Sequence, residues 1–316
     1  MDESYLDEAL AHFSGYIAAD ELYDGPFCVL SIVDNRRFRR LLYEVLDYDP
    51  TQADIARLFQ RFQEKLAARQ LKLAGVTTDG SPLYPPAIAS VCAGVPHQVC
   101  EFHVLKELNR AILKAVAQVR RERRQRQPQL TRGRPARGRA RQQARRKKRE
   151  AARIAALFEN RHLFVQRSLT RAARRTLGRI TRGLPLLRSL RAIADEVYRL
   201  FDRRCRSETA LERLARLRRR MQRFKNLART LRKLFSPNID KALVFLDDAL
   251  LPPTSNAVER GNRRHRKMQK SIYCVRTRAH VSQRIAVDMQ REAQARGRAQ
   301  TTAALHTQRN GHALSR

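Results

Sequence analysis

Two aspartates occur where short apolar segments end, and carboxylates in such positions can bind divalent metal ions. Asp20 lies in the run IAADE that begins at Ile17, and Asp79 directly follows the run LKLAGVTT and precedes Gly80. An acid inside an apolar strand costs free energy unless it is paired or binds a cation. Carboxylates from separate elements that converge can hold two metal ions for phosphoryl transfer. Both residues also have a purely structural interpretation, because Asp20 can simply end a strand and Asp-Gly is a common turn pair.

The segments around these acids predict a mixed α/β domain. Apolar residues recur at helical spacing between Ile55 and Leu66, whereas the flanking segments are short apolar runs rich in strand-forming residues. The predicted order is β-β-β-α-β-α-β-α, with strands at 15–21, 26–34, 37–46, 71–78 and 98–102 and helices at 51–70, 82–93 and 103–119. Three strands followed by α/β alternation favour a mixed sheet with helices on its faces. The first and fourth strands are commonly neighbours in such a sheet, so we expect Asp20 and Asp79 to meet.

The chain carries a large excess of positive charge. Its 316 residues include 66 Lys and Arg against 30 Asp and Glu, which gives a net charge of +36 and a pI of about 11.4. Self-repulsion of this size opposes a compact state, so the composition favours nucleic acid as a partner, with an anionic membrane surface as the second choice. No apolar stretch approaches the roughly 20 residues that span a bilayer, and we expect no membrane partner.

The N-terminus and the cysteines indicate a reducing compartment. The first ten residues are acidic and lack the basic and apolar regions of a signal peptide. The five cysteines are an odd, scattered set, which is typical of a cytoplasmic protein rather than a disulfide scaffold.

Charge and composition divide the chain further. Residues 120–149 contain fifteen Lys or Arg, one acid and almost nothing apolar, which predicts a flexible basic segment over 120–150. Leu and Ala recur at helical spacing over 151–250 and predict an all-helical insertion. The predicted domains are a first part of the α/β core at 1–119, the basic segment, the helical insertion, a last part of the core at 251–296 and a disordered tail at 297–316.

Two further motifs and their order sharpen the interpretation. The fifth predicted strand is followed by CEFH at Cys100–His103, and a late segment reads TSNAVERGNRR at 254–264. Between Asp79 and Glu259 lie residues 80–258, which are 179 in all. A strand Asp, a second Asp after the fourth strand and a Glu on a late helix are similar to the DDE transposases of bacterial insertion sequences. The CEFH motif resembles the Cys/Asp-x-x-His motif of the transposase groups related to Mutator and hAT elements.

The resemblance implies an RNase H-like fold and an enzyme that cleaves DNA and transfers strands. It implies that Asp20, Asp79 and Glu259 are the catalytic acids and hold two Mg²⁺ or Mn²⁺ ions, with Cys100 and His103 nearby. It also implies DNA ends and target DNA as partners, a homodimer, and a bacterial cytoplasmic protein associated with the nucleoid. Such transposases usually carry a DNA-binding domain before the first Asp, whereas nineteen residues precede Asp20, so we expect that domain to be missing.

Two basic groups are candidates for contacts with the DNA backbone. Arg260, Arg264 and Lys267 lie at helical spacing from Glu259, although they could equally form a solvated face. The second group ends the basic segment and consists of Arg145, Arg146, Lys147, Lys148 and Arg149. Contacts from such residues would be to phosphates and independent of base sequence.

Alternatives remain open for individual residues and for the function. Glu259 also has the spacing of a capping box in which Asn256 is the N-cap. The cysteines and histidines of residues 92–103 are spaced C-x4-H-x2-C-x2-H and are candidate zinc ligands, although structural zinc sites prefer a longer separation between ligand pairs. The functional alternatives are a basic nucleic-acid-binding protein without enzymatic activity, a nuclease or resolvase of the same fold, and an inactive remnant of a transposase.

Overall fold

The structure is a computed structural model, and it describes residues 3–126, 138–222, 225–270 and 276–294. The chain forms two compact units, of which the first combines residues 1–101 with 248–316 and the second comprises residues 102–247. The predicted tail at 297–316 lies outside the described residues, as do residues 127–137 of the predicted basic segment.

The described elements follow the predicted order through the first hundred residues. They are α1 (Glu3–Leu10), β1 (Tyr16–Asp24), β2 (Phe27–Asp34), β3 (Arg40–Leu46), α2 (Gln52–Ala67), β4 (Gly75–Thr78), α3 (Tyr84–Val91) and β5 (His97–Val99). The middle of the chain adds α4 (Glu101–Gln125), α5 (Arg139–Glu159), α6 (Arg171–Ile180), α7 (Pro185–Leu200), α8 (Ser207–Gln222), α9 (Lys225–Thr230) and α10 (Pro237–Lys241). The last two helices are α11 (Asn256–Met268) and α12 (Arg278–Gln294).

The five strands form one mixed sheet in the order β3-β2-β1-β4-β5. The first three strands are antiparallel, and β1, β4 and β5 run parallel. The predicted mixed α/β, RNase H-like fold is therefore confirmed, and so is the expectation that the first and fourth strands are neighbours. In the parallel register Ala19 lies beside Thr78.

A large hydrophobic core holds the sheet to α1, α2, α3 and α12, and a smaller cluster holds it to α11. Ile17 and Ile32 of the sheet and Phe59 of α2 are completely buried in the large core. From α12 the core receives Val281, Ile285 and Met289, which are spaced four residues apart and so lie on one face of that helix. Burial of this apolar surface is the main force that stabilises the first unit.

Helix α1 was missed in the sequence, because its eight residues offer only two turns of periodicity. Its buried face comprises Tyr5, Leu6, Ala9 and Leu10. The Tyr5 hydroxyl donates to the backbone oxygen of Arg40 at 2.7 Å, and Arg69 of the α2–β4 connection forms ion pairs with acids of the helix. The acidic N-terminus is thus docked on the sheet by contacts with residues far along the chain.

The described residues of the second unit form helices and the connections between them, and they contain no strand. The prediction of a flexible basic segment is wrong at both ends, since α4 continues to Gln125 and α5 begins at Arg139. Arg, Lys, Gln and Ala are good helix formers, so a high positive charge does not by itself prevent a helix. An ion pair of 2.6 Å between Arg123 and Glu150 also links the two helices.

Buried apolar side chains of α7 form the centre of the second unit. Leu187, Leu190 and Ala194 are completely buried. Arg191 on the same helix is also buried, and its guanidinium donates to the backbone oxygens of Leu163 at 3.0 Å and Gln166 at 2.8 Å. None of the described helices is both long and apolar enough to cross a bilayer.

A capping box begins helix α2 and fixes the chain after β3. The Thr51 hydroxyl accepts from the Asp54 amide at 3.3 Å, and the Thr51 amide donates to the Asp54 carboxylate at 2.9 Å. Burial would raise the pKa of Asp54, but hydrogen bonds from Thr51, Arg57 and Tyr48 outweigh burial and lower the pKa to about 2. The carboxylate therefore stabilises the folded state in its charged form.

We predict that Asp54→Ala lowers the free energy of unfolding at pH 7 by about 1–2 kcal/mol, because it removes this cap. The folded pKa of about 2 lies below the ordinary value of 3.8, so the contribution is present above pH 4 and is lost as the pH falls towards 2. Urea unfolding at pH 7 and at pH 3 measures the difference between variant and parent. The control is Asp49→Ala, which removes an exposed carboxylate. If the loss of unfolding free energy in Asp54→Ala is as large at pH 3 as at pH 7, the charged Asp54 carboxylate is not the source of the stability.

Candidate active site

The register of the two central parallel strands brings Asp20 and Asp79 together. Ala19 and Thr78 are the last paired residues of β1 and β4, so Asp20 and Asp79 are the next residues on the two adjoining strands. Gly80 follows with a φ of 97°, which turns the chain away from the sheet. The Ser81 amide donates to the Asp79 carboxylate at 2.8 Å and fixes its orientation.

A third carboxylate, Glu21, joins this pair. Ligand oxygens of Asp20, Glu21 and Asp79 all lie within 4.8 Å of one another. Burial raises the pKa of Glu21, and the charge of Asp79 raises it further, while a hydrogen bond from Tyr84 opposes the shift. The Tyr84 hydroxyl donates to Glu21 at 2.7 Å from a ring that is almost completely buried. Three clustered carboxylates form an acidic site at this edge of the sheet, and we call Asp20, Glu21 and Asp79 the acidic cluster.

Glu21 was not among the predicted site residues. Neighbouring residues of a strand point to opposite faces of the sheet. A site that contains Asp20 is therefore not expected to contain Glu21 as well. Both residues lie beyond the last β1–β4 pair, where no further strand lies between them and Asp79. The one signal in the sequence was the pair of acids that ends the run IAADE.

Helix α11 packs on the sheet and supplies a hydrogen bond to Asp20. The Asn262 side-chain amide donates to the Asp20 carboxylate at 2.7 Å. Asn262 is buried, and its side-chain oxygen has no hydrogen-bond partner among the described residues. A buried acceptor without a donor costs free energy, so the hydrogen bond from Asn262 to Asp20 is made at some cost to folding.

Glu259 lies on the same face of α11 as Asn262, one turn earlier along the helix. It does not belong to the acidic cluster, and its carboxylate lies within 4.8 Å of the Cys100 sulfur instead. The Ser255 hydroxyl donates to Glu259 at 3.4 Å. The structure thus brings Asp20 and Asp79 together and places Glu259 one helical turn before Asn262, the residue that bonds Asp20. The role of all three acids as one catalytic set stays a prediction.

The capping-box interpretation of Glu259 is wrong. The N-cap of α11 is Ser255 rather than Asn256, and its side chain makes no capping hydrogen bond. Glu259 is therefore the fourth residue of the helix, and its amide donates to the Ser255 backbone oxygen at 3.1 Å. The helix begins one residue early because the preceding segment is held against the sheet.

Four hydrogen bonds hold the segment that precedes α11. Three backbone oxygens of the segment accept: that of Pro252 from the Thr77 hydroxyl at 3.2 Å, that of Pro253 from the Glu101 amide at 2.8 Å, and that of Thr254 from the Asn35 side chain at 3.0 Å. The Ser255 amide donates to the Cys100 sulfur at 3.4 Å. These bonds tie the start of α11 to the ends of β2, β4 and β5. They position Glu259 and Asn262 along the edge that carries the acidic cluster.

The two residues of the CEFH motif belong to different units. Cys100 is completely buried in the first unit and accepts the hydrogen bond that fixes Ser255. His103 lies in the first turn of α4 within the second unit. Elsewhere in the same stretch, Cys92 accepts a hydrogen bond from Gln63 at 3.3 Å, and the His97 ring bonds the Thr78 hydroxyl at 2.9 Å. These partners do not support the zinc interpretation of residues 92–103.

The predicted DNA-contacting residues lie on two helices. Arg260, Arg264 and Lys267 are exposed on α11, and the first two line a cavity of about 500 Å³ in the first unit. The basic run at 145–149 lies on α5 of the second unit. Its side chains are exposed except that of Lys147, which is partly buried.

A mixed sheet in this order, with acids at the adjoining ends of β1 and β4, defines an RNase H-like domain. The chain belongs to the DDE transposases of the ISL3 group, since the model of that family, described as a transposase, matches residues 29–285. The match begins within β2 and includes Asp79 and Glu259 but not Asp20. Comparison with curated proteins gave no match, and neither did comparison with solved structures. The relation to the Mutator and hAT groups stays a prediction.

We predict that Mg²⁺ or Mn²⁺ raises the melting temperature of the protein through the acidic cluster. At about 100 times Kd a ligand adds about 2.7 kcal/mol, which corresponds to roughly 5–10 °C for a unit of this size. Asp79→Asn should lose most of this rise. Differential scanning calorimetry at constant ionic strength measures it.

The control is Asp248→Asn, which removes a carboxylate of the same unit that accepts from the Tyr16 hydroxyl at 2.8 Å and lies outside the acidic cluster. This variant should keep the metal-dependent rise. Equal rises in the parent and in Asp79→Asn would show that the ions bind elsewhere.

Proposed function

We propose that this transposase catalyses metal-dependent cleavage of DNA strands and transfers the new strand ends to a target DNA. The observation that supports this most directly is the acidic cluster at the adjoining ends of β1 and β4, with its oxygens within 4.8 Å of one another. Membership of the DDE transposase family supports DNA as the substrate.

The acidic cluster fits a divalent metal ion. Its donors are carboxylate oxygens, which Mg²⁺ and Mn²⁺ prefer over nitrogen or sulfur. Burial raises the pKa of Glu21, and the nearby charge of Asp79 raises it further; a bound cation would relieve this repulsion between like charges. Asp20, Asp79 and Glu21 would hold the two ions expected for such an enzyme, with Glu259 as a further ligand on α11. Two bound metal ions would activate a hydroxyl nucleophile and stabilise the leaving oxygen.

The protein's own contribution is to hold these acids in place before the substrate arrives. Asn262 fixes Asp20 from α11, the Ser81 amide fixes Asp79, and the Tyr84 hydroxyl fixes Glu21. All three acids are thereby oriented by groups on rigid or well-anchored elements. Such preorganisation lowers the free energy needed to assemble the reactive arrangement.

Exposed basic residues supply the attraction for DNA. The exposed members of the run at 145–149 lie on α5, and Arg260, Arg264 and Lys267 lie on α11. A chain of net charge +36 gains binding free energy from every phosphate it neutralises, because counterions are released. These contacts would position the DNA without selecting its sequence.

A strand-transfer assay tests the proposal. The donor plasmid carries the genomic DNA that flanks the reading frame, and the target is a supercoiled plasmid, with Mg²⁺, Mn²⁺ or EDTA. We predict metal-dependent cleavage and joined products for the parent. Asp20→Asn should reduce both by at least about 10²-fold, because it removes a charge that the metal requires while leaving a similar shape for Asn262 to contact.

DNA binding in EDTA, measured by fluorescence anisotropy, is the control for that variant and should be unchanged. Binding without any metal-dependent product in the parent would instead identify a non-enzymatic DNA-binding protein or an inactive transposase. Cleavage without joined products would identify a nuclease. Undiminished cleavage by Asp20→Asn would remove Asp20 from the site.

Glu259→Gln separates a metal-binding role of this residue from a structural one. The amide oxygen of Gln can accept the Ser255 hydroxyl as Glu259 does, so we predict a melting temperature within a few degrees of the parent without metal. A neutral amide is a poorer ligand for a hard cation, so cleavage and strand transfer should be lost. Paired melting curves and cleavage assays measure both effects, and parent-like cleavage would show that Glu259 serves only to fix the start of α11.

A further inference from the structure

An arginine-lined cavity lies beside α11 in the first unit, outside the acidic cluster. Its volume is about 500 Å³, which is in the range of ligand-binding pockets. The β2–β3 turn, α11 and α12 form its walls, and its ionisable lining comprises Arg37, Arg39, Arg40, Arg260, Arg264, His265 and Asp288. Five arginines against one carboxylate give this cavity a strongly positive lining, and we call it the arginine pocket.

Buried and closely packed groups make the arginine pocket more than a patch of solvated charges. Arg40 is only 9% exposed, which is rare for a charged side chain. The place that a Cβ on Gly261 would occupy lies 3.5 Å from the Arg40 guanidinium, which is van der Waals distance, so Arg40 packs directly against α11. His265 at the back is also buried and bonds Asp24 of β1 at 3.1 Å, which holds this part of the helix on the sheet.

The β2–β3 turn that forms one wall is rigid. The buried Asp34 carboxylate accepts from the Ser14 amide at 2.9 Å, the Ser14 hydroxyl at 2.7 Å, the Arg36 amide at 3.0 Å and the Arg37 amide at 2.9 Å. The Asp34 backbone oxygen also accepts from the Phe38 amide at 2.8 Å. These five hydrogen bonds fix the backbone of the turn from which Arg37 and Phe38 reach the pocket.

Phe38 has an unfavourable backbone conformation and an exposed ring. Its φ is 62°, in the left-handed region that a bulky residue rarely adopts, and its side chain is 47% exposed. The Arg260 guanidinium lies 5.8 Å from the ring centroid. Strain of this kind persists only where the surrounding structure enforces it, and such positions concentrate at ligand sites. An exposed aromatic ring beside arginines matches a ligand that carries both a flat ring and a phosphate.

We propose that the arginine pocket binds an unpaired nucleotide of a DNA strand, with its phosphate on Arg40, Arg260 and Arg264 and its base stacked on Phe38. Guanidinium groups bind phosphate through paired hydrogen bonds, and aromatic rings stack on bases that are not already stacked in a duplex. The choice of DNA rests on the proposed function. Because α11 carries both Asn262 beside the acidic cluster and Arg260 in the pocket, one strand could contact both sites.

Anisotropy titrations in EDTA test the pocket without cleavage. The probes are a blunt duplex, a duplex of equal phosphate number with a four-nucleotide overhang, and the same overhang without bases. The parent should bind the overhang duplex about 5–100-fold more tightly than the blunt one, as expected for one stacked base. The abasic overhang should lose most of this preference. Equal binding of all three probes overturns the proposal.

Two pairs of variants locate the effect. Arg260→Gln should abolish most of the overhang preference, whereas Arg263→Gln removes the same charge from an exposed position outside the pocket lining and should weaken all probes equally. Phe38→Leu and Phe38→Gly should both lose the preference, and Phe38→Gly should melt no lower than the parent because glycine tolerates the positive φ. The proposal is overturned if Arg260→Gln and Arg263→Gln change the binding of the probes equally. It is also overturned if Phe38→Leu keeps the preference for the overhang duplex.

The two proposals fail in different ways. A parent that cleaves and joins DNA but shows no overhang preference refutes the arginine pocket alone. A parent that prefers the overhang but yields no metal-dependent product refutes the proposed catalysis alone.

Discussion

The parallel register of β1 and β4 is the constraint on which the candidate site depends. By pairing Ala19 with Thr78, it makes Asp20 and Asp79 adjacent at the edge of the sheet, where Glu21 joins them. Collecting three carboxylates opposes folding, since each charge disfavours the others and loses water. The fold offsets this cost with donors from three other elements, namely Asn262, the Ser81 amide and the Tyr84 hydroxyl. The surrounding structure is thus organised to stabilise an arrangement that the acids alone would avoid.

Helix α11 connects this acidic edge to a strongly basic surface. Its residues alternate in role because successive positions of a helix point about 100° apart. Asn262 faces Asp20, and Arg260 and Arg264 face the arginine pocket. The helix can contact both surfaces only if its start and its axis are fixed. The hydrogen bonds to the segment before it fix its start, and the contact between His265 and Asp24 holds its later turns on the sheet.

Much of the fold could be predicted from the sequence, because its signals are local. The run PFCVLSIVD and the helical spacing from Ile55 to Leu66 predict β2 and α2 from their own residues. Helix α1 was missed because its stability comes from contacts such as Tyr5 with Arg40, which no local pattern reveals. The helical ends of the basic segment are not predictable from its charge, because the segment consists of good helix formers and α5 also has a buried residue, Ile154.

The site was less predictable than the fold for a related reason. Asp20 and Asp79 could be found since each ends an apolar run, and the topology then brings them together. The alternation of side chains along a strand predicts that Glu21 and Asp20 point to opposite faces of the sheet, yet both belong to the acidic cluster. The position of Glu21 depends on where β4 ends and on the hydrogen bond from the Tyr84 hydroxyl. The N-cap of α11 depends likewise on the Ser255 bond to Cys100, which is 155 residues away in sequence. Long-range hydrogen bonds of this kind are decided by tertiary structure.

The opposite charges on the two sides of α11 also constrain how DNA could approach. Without a cation the acidic cluster repels a phosphate, while the arginine pocket attracts one, so the pocket is the more favourable first contact. Two divalent ions at the cluster would carry more positive charge than the three carboxylates carry negative charge, which would make this edge of the sheet attractive to the next phosphates along the strand. On the proposed function, the pocket would therefore hold DNA with or without metal. The acidic cluster would engage it only when metal is bound, which would limit the reaction to strands that the basic surfaces have already oriented.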